Sequence, residues 1–435
     1  MKLYKDFFRY VLPSMLAFAL SGLYGIVDGF FLGNEMGDQA LAAINVAYPL
    51  TAFLQAVGTG IGMGGAVQYT INKAQKKEGN QQKCLGLTFG LLILVGTVLT
   101  PLFYFYNIPL LKALGASESL LVLGGEYMDW IAFGCLFQIL GTGMVPFMRN
   151  LGNAFISMTA MMLGAATNIV FDYLFIWVFH KGMMGAAIAS VMGQVTAFFV
   201  CIIYLLRKKE RMRLKGVDRD LLKKILLIGC SPFGLSFAPN LILILVNLNA
   251  VHYGGDFAVT CYAPVSYITY TVMLLLQGVS DGCQPLISFF YGKGERMQAR
   301  RIYHMSRNFS LLTGGAAFFL LVWGGSSVIE LFGTSERVTE YVTEILPIFL
   351  LGLLFAGVSR AVISYFYATE ENVKAYFLIY GESVLLGILL WIVPNLMGIL
   401  GTWISVMVSQ LLIALLSQIF LLRGKAINLK ADKEG

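Results

Sequence analysis

Residues 73–106 read KAQKKEGNQQKCLGLTFGLLILVGTVLTPLFYFY: four lysines in the first eleven positions, then twenty-three residues without a charge. As a helix rising ~1.5 Å per residue, that second part crosses the ~30 Å hydrocarbon core of a bilayer. Barrel strands would be short and alternating, whereas this run is long and continuous, so a helix is the viable spanning structure. Working outward, similar apolar runs fall at about 7–33, 40–70, 84–106, 120–148, 154–179, 185–206, 225–252, 257–291, 309–331, 338–367, 375–397 and 398–422. Twelve spans predict an all-α polytopic membrane protein.

The basic residues sort by gap. Of 31 lysines and arginines, the gaps on the side of both termini hold 27, among them Lys73, Lys76, Lys77, Lys83 and the cluster from Arg207 to Lys224. The opposite gaps hold only Lys112, Lys181 and Arg337, and Arg360 lies inside a span. Retention of positive charge in the cytoplasm predicts a multi-pass plasma-membrane protein with both termini inside. The net charge of +7 therefore reports orientation; no basic folded domain exists to bind nucleic acid. Hydrophobic residues make up 57% and charged ones 13%, which leaves no soluble domain between spans. The six cysteines lie at or within spans and read as small apolar fillers, without metal spacing.

Six spans precede the basic segment and six follow it. The expected organisation is an N-terminal six-helix bundle (1–206), a cytoplasmic linker (207–224) and a C-terminal bundle with a short tail (225–435). An even number of spans per half makes any repeat parallel, with both halves arranged around a central cavity. Traces of duplication remain. Pro13 matches Pro232, Val27-Asp28 matches Val246-Asn247, Gly58-x-x-x-Gly62 matches Gly278-x-x-x-Gly282, and Gly182-x-x-Gly185 with Gln194 recurs as Gly398-x-x-Gly401 with Gln410. Without a phosphate loop for ATP, this plan points to secondary transport rather than an ATP-driven pump.

Residues 22–50, GLYGIVDGFFLGNEMGDQALAAINVAYPL, and 277–295, QGVSDGCQPLISFFYGKGE, resemble the multidrug and toxic compound extrusion family, in the branch with an aspartate in the first span. The resemblance implies an antiporter that exports organic cations in exchange for protons or sodium, with no cofactor and no enzymatic activity. Pro13 resembles the proline that kinks the family's first helix, and Tyr24 resembles an aromatic of its drug cavity. Asn247 and Asp281 join Tyr24 as candidate cavity residues. A lipid or lipid-linked oligosaccharide flippase shares the twelve-helix plan and is the alternative. A membrane-embedded enzyme would need converging nucleophiles, histidines or metal ligands at one depth, and none is visible.

Ionisable groups at membrane depth are costly and invite functional readings. Counting residues from span ends puts Asp28, Asn168, Asp172 and Ser190, from spans one, five and six, in the outer half of the first bundle. Two carboxylates meeting in a low dielectric repel one another, and a proton or a hard cation such as sodium relieves that repulsion. These four residues form the expected cation-coupling site; the resemblance implies the same for Asp28 and for the Asn168–Asp172 pair. Other readings stay open: an interfacial acid for Asp28, a helix-packing hydrogen bond for Asp172, back-bonding to a carbonyl for Ser190. In the second bundle Arg360 and Glu382 match in depth and sign, and a structural ion pair is expected.

Overall fold

The computed structural model describes the backbone of residues 2–210, 212–213, 218–330 and 335–434; the side chains of residues 2, 23–26, 38, 325–326 and 424–434 lie outside that description. All the described elements are helical, in the order α1 (Lys2–Met36), α2 (Asp38–Ala74), α3 (Glu78–Ala113), α4 (Glu118–Asn150), α5 (Ala154–Asp172), a π-helical turn (Tyr173–Val178), α6 (Gly182–Lys208), α7 (Arg219–Gly292), α8 (Arg296–Glu330), α9 (Glu336–Ala368), α10 (Asn372–Met397) and α11 (Ile399–Glu434). Eleven of these are long and apolar enough to cross a membrane. The 74-residue α7 carries two expected spans, and its path breaks at Gly255, with φ 61° and ψ −160°, between the runs 225–252 and 257–291.

Local chemistry sets several ends. The Asn153 side chain accepts from Ile156 N and starts α5, while Asp218 accepts from Leu221 N and starts α7. Between bilayer-spanning helices there is no strong hydrophobic drive to associate, so close approach depends on small residues. A Cβ on Gly62 of α2 would stand 2.0 Å from Gly143 O of α4, and one on Gly134 of α4 would stand 2.1 Å from Val191 Cγ2 of α6.

The chain divides into two compact units, residues 1–237 with 288–295, and residues 238–287 with 296–435. In the first, the opening turns of α7 pack on α2, where a Cβ on Gly229 would meet Gly60 O at 2.6 Å. The segment ahead of α7 is also docked: Arg213 N donates to Gln82 O, Lys83 pairs with Asp218 at 3.6 Å, and Tyr69 Oη donates to Glu210 Oε2 at 3.3 Å. Arg211 and Lys215 of that basic run lie outside the described residues. In the second unit the core gathers Val246, Val265, Leu276, Phe349, Leu386 and Trp403, with Trp403 Nε1 donating to Tyr341 Oη at 3.1 Å.

The repeated glycine pairs have a common local role. Gly182 and Gly398 both have positive φ, 53° and 60°; the first opens α6 and the second lies in the turn just before α11. Gly185 and Gly401, three residues on, let that next helix approach its predecessor: added Cβ atoms would meet Phe175 Cβ at 3.0 Å and Val393 O at 2.7 Å. Gln194 and Gln410 repeat the pattern, lying against Gly141 of α4 and Gly352 of α9 at 2.7 and 2.3 Å from the position of an added Cβ.

Candidate functional site

The interface of α5 with α6 begins at two glycines. A Cβ on Gly164 would lie 2.9 Å from Gly193 O, and one on Gly193 would lie 2.8 Å from Gly164 O and 3.2 Å from Asn168 Cβ. This close approach fixes Asn168 beside α6. One turn later comes Asp172, 0% exposed, with Asn168 at 2%. From α1 the half-buried Asp28 comes within interaction distance of both. Tyr127 of α4, buried, stands beside the two carboxylates and within reach of Ser190 on α6. Asp28, Asn168, Asp172 and Ser190 are thus brought to one place, from α1, α5 and α6, with Tyr127 added from α4.

The electrostatics of this place are one-sided. Among the described residues, the side chains that interact with the two carboxylates are each other, Asn168 and Tyr127, none of them basic. Among the described residues, Asp28 Oδ1, both Asp172 carboxylate oxygens and both amide atoms of Asn168 have no well-formed hydrogen bond. Leaving a buried polar atom unsatisfied costs about 1–3 kcal/mol, more for a charge. A proton shared by the acids would satisfy carboxylate oxygens, and a small hard cation would take oxygens from Asp28, Asp172 and Asn168 Oδ1.

Directly after Asp172 the helix loosens into the π-helical turn Tyr173–Val178. Such turns occur often at functional sites, where they re-aim neighbouring side chains. Here Trp177 is turned onto α1, its ring 4.8 Å from that of Phe31.

A second polar cluster lies inside the second unit. Asp281 Oδ1 accepts from Gln277 Nε2 at 2.7 Å and from Tyr367 Oη at 3.4 Å, while Arg360 donates to Gln277 Oε1. Gln277 therefore bridges the guanidinium and the carboxylate, and Glu382 also lies close enough to act on Arg360. Asn247 is half-buried in α7, Pro13 lies inside α1, and Tyr24 is on α1 with its side chain outside the described residues.

Sequence reasoning missed Tyr127, Gln277, Tyr367 and the π-helical turn. Two of these had a signal. Tyr127 shares a buried face with Gly124, Met128 and Ile131 at helical spacing, and Gln277 stands one turn from Asp281 at i, i+4. No residue pattern in YLFIWV distinguishes a π turn from continued α-helix.

The MatE family model matches this chain twice, over residues 13–174 and 233–393. The second match begins 220 positions after the first, close to the offset at which the repeated prolines and glycines align. The multidrug export protein MepA of Staphylococcus aureus is 25% identical over 97% of this chain and 94% of its own length. That of Staphylococcus haemolyticus is 23% identical over 99% and 96%. Among solved structures, an outward-facing multidrug resistance MATE family transporter of the MOP superfamily superposes with a TM-score of 0.92 at 20% identity, covering 100% of this chain and 97% of that one. A MATE crystal structure in the bent conformation superposes with a TM-score of 0.90 at 19% identity, covering 99% and 98%. The chain belongs to the MatE family and is a multi-pass membrane transporter, not an enzyme.

Proposed function

We propose that this protein is a multidrug efflux antiporter that exports organic cations in exchange for protons or sodium by alternating access. The observation that carries the reading is the meeting of Asp28, Asn168 and Asp172 with buried oxygens that lack hydrogen bonds and no basic partner among the groups acting on them. Such a pair is stable in one protonation or cation state and costly in the other. An ion drives an alternating-access equilibrium only through its differential affinity for the two states. The multidrug export relatives support drugs as substrates, and organic cations are the class that the family resemblance implies. Two six-helix bundles, 1–206 and 225–435, joined by the 207–224 linker with both termini cytoplasmic, form the working unit in this reading. Tyr24, Asn247 and Asp281 are assigned to substrate contact, Pro13 to a kink in α1, and Arg360 with Glu382 to a structural ion pair.

The test is efflux of a fluorescent organic cation from everted vesicles, with proton and sodium gradients imposed separately. Transport under one gradient and not the other identifies the coupling ion. Transport that ignores both gradients would overturn antiport.

A further inference from the structure

Glu35 lies seven residues beyond Asp28 on α1, two helical turns on and on the same face, about 10 Å further along the axis. His180 stands eight residues beyond Asp172, just after the π-helical turn, with a backbone φ of 48° that L-residues seldom adopt. These two side chains meet: His180 Nδ1 is 2.6 Å from Glu35 Oε1. Next to them Gly182 brings the α6 end of the turn so near α1 that an added Cβ would stand 2.9 Å from Met36 Sδ.

Between this polar contact and the carboxylate pair, the same interface turns apolar. Phe31 and Leu32 from α1 and Ile176 from the π-helical turn are buried, and Trp177 closes edge-on over Phe31 with Phe30 beside it. The order along the interface is therefore acid pair, apolar layer, then a polar contact whose histidine side chain is 68% exposed. An isolated helix-packing seam has no reason to place a water-facing polar contact directly in line with two buried acids.

We propose that this interface is the outer access gate to the Asp28–Asp172 pair, with Phe31, Leu32, Ile176 and Trp177 as its plug and Glu35–His180 as its latch. The inference rests on the proposed orientation and on the reading of the acid pair as the coupling site. The π-helical turn gives the gate its form. By releasing one turn from α-helical geometry it lets Trp177 lie on α1 while Asp172 stays in register with Asn168.

The experiment follows thiol labelling of Asp172→Cys by a membrane-impermeant methanethiosulfonate reagent in right-side-out vesicles, after subtracting the signal of the chain without that substitution. Adding Phe31→Ala or Trp177→Ala should raise the labelling rate about tenfold, the scale set by losing one buried aromatic contact. Adding His180→Gln should raise it less, and Trp391→Ala, an exposed aromatic of the second unit, should leave it unchanged. Phe31→Leu, which keeps bulk in the layer, gives an intermediate rate and covers the case in which an alanine variant fails to fold. Labelling rates that do not respond to any plug substitution, or an absence of labelling in every variant, would overturn the gate. The readout is access rather than transport. A gate confirmed by labelling while Asp28→Asn still performs gradient-driven efflux would leave the gate standing and the coupling reading failed.

Discussion

Asp172 is fully buried, and among the described residues neither of its carboxylate oxygens has a well-formed hydrogen bond. A residue kept only for stability would not be left in that condition, because an amide of the same shape would fit beside Asn168 at lower cost. Asp172→Asn is therefore expected to keep or raise the thermal midpoint of the purified protein while abolishing gradient-driven efflux, the pattern of a site that trades stability for activity. A marked fall in the midpoint would assign the acid a structural role. Arg360 predicts the opposite behaviour. It donates to Gln277 and lies near two acids, so Arg360→Ala strands negative charge in the unit's interior and should cost about 3–5 kcal/mol, read as lost folded protein. Exchanging Arg360 and Glu382 should restore part of that loss if the two pair directly. The acids and the arginine were legible in the sequence because charge within an apolar run stands out. Tyr127 and Gln277 were only faintly legible, through an apolar helical face and an i, i+4 spacing to Asp281, because tyrosine and glutamine fit a membrane helix without standing out as a charge does.

Gly164 and Gly193 determine how near α5 can come to α6, and through them where Asn168 and Asp172 lie. Gly193→Leu should lose folded protein by about 1–3 kcal/mol or more, since its first side-chain atom would already meet the opposing backbone. Gly387→Ala on α10, where an added Cβ meets nothing within 4 Å, should be neutral in the same measurement of detergent-extracted yield. The paired Gly182-x-x-Gly185 and Gly398-x-x-Gly401 motifs were readable as a repeat because a turn followed by a close approach demands glycine twice at a fixed interval. The break in α7 was likewise readable, as the gap between the apolar runs 225–252 and 257–291. The π-helical turn was not: its six residues suit either helix, and what accompanies it is a long-range contact, Trp177 against Phe30 and Phe31 of α1.

For the molecule as a whole, the apolar runs and the alternation of charge made the all-helical, membrane-spanning architecture legible, and the twofold family match follows the internal repeat. The ion and the substrate were not legible, because oxygen-lined sites accept protons and hard cations alike and aromatic side chains line any bundle. The 27-to-3 division of basic residues predicts that cysteines introduced near Lys209 are protected in intact cells, whereas those near Lys181 react from outside. The reverse pattern would invert the proposed orientation. The central claim, that Asp28 and Asp172 act together as the coupling site, is tested most directly by the folded Asp28→Asn, Asp172→Asn double variant in everted vesicles. The account predicts that gradient-driven efflux of a fluorescent cation disappears while equilibrium binding of that cation to purified protein largely persists; efflux that still follows the imposed gradient would contradict it.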